Sequence, residues 1–567
     1  MDKVTSDKKN RPLLPAVFVS IFACFSLLLY GPLDMYAHNI SDLWFNAAQL
    51  LICMGMVAVA GFIASILVFF LLHRLNERLY LCALALYFGV ALAAYLQGNF
   101  FNINATPLEG DAVFWPNLVL PTFLNLALWL GIILIPLVLL CLVPKHFSII
   151  TKSISLILTF MQVASMTVLL IGMPLDKKQV YTTTQDRFKL SSEGNIIVLI
   201  ADSISTQYME EMMAKNPEAL DFLDGFTYYP NTVGAYGKTA GTFSYLMSGE
   251  YYLNQQNFID YCREAFTTDT FWKELKALGY DIHIGEAGSG VPYFPEQAET
   301  FSNLVVRQPE VSSYWTMAKL MLKMTGYRFA PDFMRPFLLN DYPPAFDLLM
   351  QSAKGEAPVT EKIDPPFYNA LVKEKLSADE EGKAFRLYFL QGAHTPYRMN
   401  EKAKLVRDNS VTYYQQLQGV FRIFKEYLTQ LKELGLYDDA TIIIMTDHGK
   451  TTTLKALNPT FMIKPKGASG ALATSLAPIS YADFRPTLMQ AAGGDYSKYG
   501  TPVDAWKEGD IRERKYYIYF WTRIRAADYF FTDIYELVTN GDVRNLSEYK
   551  PTGQMYTKDG VKPGNPW

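Results

Sequence analysis

At 567 residues the chain is longer than one hydrophobic core organises, so at least two domains are expected. Half of its residues are hydrophobic and 19% are charged, an apolar balance for a soluble enzyme, and a net charge of −4 gives no reason to expect nucleic acid. Cys24, Cys53, Cys82 and Cys141 lie in apolar runs; Cys262 stands alone in the polar part, which excludes a disulfide within it.

Five apolar runs, near 13–30, 46–72, 79–98, 118–143 and 149–173, approach or exceed the roughly 20 residues needed to cross a bilayer. No small-residue cleavage site follows the first and four more come after it, so it reads as a span and not as a cleaved signal peptide. Lys3, Lys8, Lys9 and Arg11 precede the first run, Arg74 and Arg78 fall between the second and third, and Lys145 and Lys152 between the fourth and fifth. The remaining loops carry Asp34, Asp42, Glu109 and Asp111 with no Lys or Arg. The positive-inside rule then predicts a cytoplasmic N-terminus, with everything after the fifth span outside the cytoplasm; Lys177 and Lys178 oppose it weakly, because long domains translocate largely regardless of charge. Trp44, Phe100, Phe101, Phe114 and Trp115 in the outer loops read as an interfacial aromatic belt, or as a platform for a lipid head group.

The organisation expected is a transmembrane domain over 1–173, a polar linker or juxtamembrane segment over 174–194, and an extracytoplasmic catalytic domain over 195–567. From Asn195 the pattern is α/β. Apolar, β-branched runs at 195–201, 280–285, 385–390, 441–446 and 461–464 lack polar alternation, which predicts a mostly parallel sheet covered on both faces by helices such as 268–278 and 409–434. A small second sheet is expected from 516–521 and 529–538, while the Pro-rich stretch 325–380 resists assignment.

In such sheets chemistry gathers at the carboxyl ends of strands. Asn195-Ile-Ile-Val-Leu-Ile-Ala-Asp202 ends in a carboxylate, and Thr441-Ile-Ile-Ile-Met-Thr-Asp447-His448-Gly449 ends in a carboxylate and an imidazole. Between them, a Gly-rich turn leads to Lys238-Thr239-Ala240 at the start of a short helix, where free N–H groups favour anionic oxygen and where a Thr also serves as an ordinary cap. Asp202, Thr239, Asp447 and His448 form a mixed O/N set able to hold one divalent cation, Zn²⁺ or Mn²⁺ by ligand type. The cation would lower the pKa of the Thr239 hydroxyl and offset charge on a phosphoryl oxygen.

The order strand-Asp202, Gly237-Lys-Thr239, Gly392-Ala-His394-Thr-Pro-Tyr397 and Thr446-Asp447-His448-Gly449 resembles the alkaline phosphatase and sulfatase superfamily. Five spans followed by an outer domain resemble lipoteichoic acid synthase and the lipid A phosphoethanolamine transferases, and Gly225-Phe-Thr-Tyr-Tyr-Pro-Asn-Thr leading into Thr239 is similar to the former. The resemblance implies Thr239 as nucleophile and metal ligand, with Asp202, Asp447 and His448 completing the metal site. It implies His394 as a substrate-phosphate contact and general acid. It also puts head-group contacts near His283 and Glu286; His283 reads equally well as a packed strand residue. Lys450, after the Asp-His-Gly turn, faces either a phosphate or solvent.

Departures narrow the reading. Lipoteichoic acid synthase has Glu where this chain has Asp202. Most sulfatases need a Cys or Ser that becomes formylglycine, and Thr239 cannot, which disfavours sulfate-ester hydrolysis. The phosphoethanolamine transferases carry several outer disulfides and extra histidines; past residue 194 this chain has one Cys and only His283, His394 and His448, so a second, His-rich metal site is not expected. The resemblance thus implies a multi-pass membrane transferase that moves a phosphate-bearing head group from a membrane phospholipid to an extracytoplasmic glycan or polymer. Phosphatidylglycerol is favoured as donor over phosphatidylethanolamine. A phosphodiesterase or other sulfatase-like hydrolase is the alternative.

Overall fold

The computed structural model describes residues 13–566 apart from 41–42, 44, 102–118, 174–178, 286–290, 308–309, 312, 339–349, 352–363, 407–409, 451–456, 521 and 524–528. Trp44, Phe114, Trp115 and Glu286 therefore lie outside the described residues.

The chain divides into two compact units, Met1–Gln179 with Gln308–Ser352, and Val180–Arg307 with Ala353–Trp567. Among its described residues the first contains five helices long and apolar enough to cross a membrane: Leu14–His38, Ala47–Leu75, Glu77–Phe100, Val119–Leu142 and Pro144–Ile171. Asn46 caps the second with a reciprocal capping box to Gln49, and Asn76 starts the third by accepting from Arg78 and Leu79 N–H groups. Pro144 opens the fifth at a first-turn position, where its missing N–H costs nothing. The first span is interrupted by a π-helical turn, Phe25–Tyr30. Within this unit Ser26 donates to Gln162 across two spans at 2.6 Å.

The stretch 308–352 departs from the linear domain division read from sequence. It leaves the α/β unit after a strand at Leu304–Arg307 and joins the span unit. There the helix Tyr314–Phe329 buries Met317, Ala318, Leu320, Met321 and Met324 in one cluster with Leu33, Tyr36, Leu50 and Met54 of the first two spans. The expected linker also differs: Lys189–Ser191 is a strand of the second unit, paired in parallel with Ser377–Glu380.

The second unit is built on a seven-stranded sheet. In chain order its strands are β1 (Asn195–Ala201), β2 (Thr227–Tyr228), β3 (Tyr280–Ile284), β4 (Lys383–Leu390), β5 (Ala440–Met445), β6 (Phe461–Lys464) and β7 (Ala473–Thr474). The spatial order is β7-β2-β6-β5-β1-β4-β3. The neighbours β5, β1, β4 and β3 run parallel, and β6 is antiparallel to β5 and β2. Every residue of β1 is buried. Ile196, Val198 and Ile200 pack into one core cluster while Ile197, Leu199 and Ala201 pack into the other, which is why the strand lacks polar alternation. The helix Tyr413–Glu433 covers the second face with Leu417, Val420, Phe424, Leu428 and Leu431, starting from a Thr412–Gln415 capping box. A four-stranded antiparallel sheet follows, β8 (Arg514–Ile518), β9 (Ile534–Thr539), β10 (Lys550–Thr557) and β11 (Gly560–Pro563), of which the last two carry no strong sequence signal.

Candidate active site

The pairing of β1 with β4 and β5 aligns Ala201 with Leu390 and Ile200 with Met445, so the residues that follow all three strands emerge at one edge of the sheet. That edge gathers Asp202, the loop from Gln391 to Tyr397, and Thr446-Asp447-His448. The loop is drawn tightly against β1: Asp202 N–H donates to Leu390 O at 3.1 Å and Ala393 N–H donates to Asp202 O at 2.8 Å. Gly392, at φ +63°, makes this possible, since a Cβ there would lie 2.3 Å from the Asp202 carbonyl oxygen. Asp364 clamps the other side of the loop, accepting from Gln391 and Gly392 N–H groups at 2.7 and 2.9 Å.

Thr239 is the first residue of the helix Thr239–Ser248, with Lys238 in extended conformation at the N-cap position and no side-chain cap. The Thr239 hydroxyl is thus not spent on capping. It lies 3.4 Å from Asp202 Oδ2 and 3.3 Å from His448 Nε2. Tyr519 OH accepts from Gly241 N–H in the same turn at 3.1 Å, and a Cβ at Gly241 would clash with the Tyr236 ring at 2.7 Å.

His448 Nδ1–H donates to Gly449 O at 2.6 Å, which leaves the Nε2 lone pair directed at the carboxylates, 3.4 Å from Asp202 Oδ1 and 3.4 Å from Asp447 Oδ2. Asp447 Oδ1 accepts from His448 N–H at 2.8 Å and Ser203 N–H at 3.4 Å, while Asp447 Oδ2, fully buried, accepts no hydrogen bond among the described residues. Burial, and then the neighbouring Asp202, push the Asp447 carboxyl up to about 6. Burial lowers the His448 imidazole, but Asp447 and Asp202 outweigh it and hold it above its ordinary value. Ligands held at about 2.1 Å around a tetrahedral ion lie about 3.4 Å apart, the spacing from His448 Nε2 to each of the two carboxylates. An orphaned carboxylate oxygen, two mutually repelling carboxylates and an imidazole lone pair facing one point fit a divalent cation.

Sequence reasoning missed Ser203, held at φ +61°, whose hydroxyl donates to Asp202 Oδ1 at 2.7 Å. Its place directly after a strand-end carboxylate is the only signal it carries. Asp364 has none, being remote in sequence from the loop it clamps.

The other sequence candidates are placed differently. His394 is exposed on the Gln391–Tyr397 loop; its Nδ1 bonds the Thr395 carbonyl, and its own carbonyl accepts from Gln416 Nε2 at 3.1 Å. Lys450 sits over the rings of Tyr413, Tyr208 and Tyr397 at 4.6, 5.3 and 5.5 Å, which ties the turn after His448 to the His394 loop. The structure does not bring His283 to the four clustered residues. It lies on the edge strand β3 opposite Arg386, ion-paired to Asp281 at 3.1 Å, and lines a separate cavity of about 60 Å³. The reading of it as a packed strand residue fits that position. Glu286 lies outside the described residues.

No curated protein matches the chain in sequence. Among solved structures, a lipoteichoic acid synthase from Listeria monocytogenes is similar at 15% identity and a TM-score of 0.33, covering 64% of this chain and 88% of its own. A phosphonate monoester hydrolase from Silicibacter pomeroyi is similar at 14% identity and a TM-score of 0.37, covering 65% and 89%. An alkaline phosphatase superfamily protein from Vibrio parahaemolyticus is similar at 13% identity and a TM-score of 0.36, covering 68% and 85%. Likeness at these values adds no weight to a functional argument. The sulfatase family model matches residues 194–494, more than half of the chain and the whole of the strand edge that carries Asp202, Thr239, Asp447 and His448, and the chain belongs to the sulfatase family.

Proposed function

We propose that the protein is a multi-pass membrane transferase that moves a phosphate-bearing head group from a phospholipid, phosphatidylglycerol before phosphatidylethanolamine, to an extracytoplasmic glycan or polymer. The observation that carries this reading is the Thr239 hydroxyl, uncommitted to capping and set against Asp202 and His448, in a chain with five membrane-length helices. Asp202, Thr239, Asp447 and His448 would hold one Mn²⁺ or Zn²⁺, which when bound lowers the hydroxyl pKa and offsets phosphoryl charge. Thr239 Oγ, its proton released to solvent, attacks phosphorus, the bond from phosphorus to the diacylglycerol oxygen breaks, and the head group remains as a phosphodiester on Thr239. His394 supplies a proton to the departing oxygen and then accepts one from the acceptor hydroxyl, whose attack on the same phosphorus breaks the bond to Thr239 Oγ, which regains its proton from solvent. Lys450, steered by its three tyrosines, stands beside the His394 loop as a phosphate contact. The positive-inside pattern supports an N-terminus in the cytoplasm and a catalytic unit outside it.

The test is intact mass of the full chain, reconstituted with Mn²⁺ or Zn²⁺ and one phospholipid at a time. A glycerophosphate adduct on Thr239 supports the reading and names the donor; a phosphoethanolamine adduct moves the donor. Steady release of soluble head group with no adduct favours a phosphodiesterase. Thr239→Ala is expected to lower turnover by roughly a thousand-fold or more with melting temperature unchanged; retained activity would sink the mechanism.

A further inference from the structure

The stretch Gln308–Ser352 interrupts the sulfatase-family domain yet belongs to the span unit. Its helix Tyr314–Phe329 has 16 residues, about 24 Å of length, and its two ends meet different spans. At the start, Tyr314 O accepts from Cys53 Sγ at 3.3 Å, two turns inside the second span. At the other end Arg328 pairs with Asp34 of the first span and donates from Nε to Gly98 O of the third at 3.0 Å, with the Phe329 ring packed directly on Gly98. Beyond it, Asp332 N–H donates to Asn125 Oδ1 at 3.0 Å, and Asp332 Oδ1 accepts from Gln97 Nε2 at 3.2 Å and pairs with Arg335 at 3.1 Å. Gln97 is fully buried and also accepts from Asn125 and Trp129.

All these partners lie at one end of the spans, the end from which the chain leaves the fifth helix: the ends of the first and third and the starts of the second and fourth. The inserted helix and the residues just past it therefore run across that end, touching the first and third spans within their last two turns and the second and fourth within about their first two. At that same level it exposes Tyr314, Trp315 and, past its end, Phe333, Met334 and Phe337; Trp315 is 68% exposed and Phe337 79%. Large aromatic surface in contact with water at this depth is costly, whereas aromatic rings beside head groups are favoured. Lys319 lies 5.0 Å from the Trp315 ring, one turn on, the pairing of an amphipathic ring with a cation that reaches for phosphate.

We propose that residues 314–338 form an interfacial element whose Trp315, Phe333, Met334 and Phe337 side chains enter the adjoining leaflet and contact phospholipid, anchored from beneath by the Asp34–Arg328 pair and the Gln97–Asn125–Asp332 hydrogen bonds. The contact surface is lipid, not protein. It depends on the five helices crossing a bilayer and is independent of the reaction at Thr239.

The experiment places photoreactive benzoylphenylalanine, one position at a time, at Trp315, Phe333 or Phe337 of the full chain in nanodiscs of phosphatidylethanolamine and phosphatidylglycerol. Phe160, exposed in the middle of the fifth span, and Ile511, exposed on the α/β unit, are the reference positions. Lipid adducts at Trp315 and Phe337 that approach the Phe160 yield and exceed Ile511 several-fold are expected. Labelling at Phe160 with Phe337 and Trp315 at the Ile511 level overturns the proposal, as does cross-linking to a second copy of the chain. Silence at Phe160 as well overturns the span reading along with it.

Discussion

Asp447 and Asp202 face one another across His448 with almost no solvent between them, and that crowding is a chemical property of the folded chain alone. An unfolded carboxyl titrates near about 3.9, whereas folded Asp447 titrates at about 6. Between those values the folded chain keeps a proton that the unfolded chain has released, so metal-free stability falls as pH rises through the window. A divalent cation cancels this penalty but competes with the proton for the same oxygen. The rise in melting temperature on adding Mn²⁺ or Zn²⁺ is therefore expected to be larger at pH 7.5 than at pH 5, and equal rises at the two values would count against the site. Ser203, by holding Asp202 Oδ1, would act one step behind a bound cation. Ser203→Ala is expected to weaken cation affinity roughly ten-fold, read by calorimetric titration.

At the scale of elements, the edge of the sheet gathers the candidate residues because three strands end together and one loop folds back on them. Gly392→Ala is expected to lift the loop from Asp202, because the new methyl would meet the Asp202 backbone at 2.3 Å and the left-handed φ disfavours any side chain. Turnover should fall while cation-induced stabilisation persists, since none of the four clustered residues lies on that loop. The opposite edge is held by charge. Arg386, fully buried on β4, donates to Asp281 and Glu380 carboxylates at 2.8 and 3.0 Å. Burial raises the Asp281 carboxyl, but His283, Ser302 and Arg386 together hold it well below its ordinary range. Its contribution to stability is present above the unfolded carboxylate value and is lost as pH falls toward its own depressed one. Asp281→Ala is expected to cost about 2 kcal/mol at neutral pH by removing one of the two carboxylates that pair a buried guanidinium, measured by urea unfolding of the full chain.

At the scale of the whole molecule, the covalent path visits the span unit twice, through Met1–Gln179 and again through Gln308–Ser352. Asp34 and Gln97 are polar groups buried at the ends of apolar helices, and the second visit supplies partners to both. Replacing 308–352 by a short flexible linker is expected to lower the melting temperature of the detergent-solubilised chain and to reproduce the effect of Asp34→Ala. An unchanged melt would mean that the insertion rests on the spans without supporting them.

The spans, the central strands and the four clustered residues were legible in sequence because each depends on local pattern. A span is a length of apolar chain, and β1 and β5 are short apolar runs that end in chemistry-bearing residues. Thr239 was legible as a helix start, but not that its hydroxyl is free of the cap, since Ser, Thr and Asp at that position look alike until the backbone is seen. Asp364 and the tyrosine ring around Lys450 meet their partners only through folding, and no local signal marks them; Ser203 carries only its place after Asp202. The insertion is the clearest case. Its apolar stripe of Met317, Leu320, Met321 and Met324 reads as an ordinary amphipathic helix, because a stripe specifies that a face is buried and not which core buries it. Sequence by itself determined the membrane-length helices, the sheet and the residues gathered at its edge; tertiary structure alone decided which residues of the family domain join the span unit, because that choice depends on contacts between segments more than 200 residues apart.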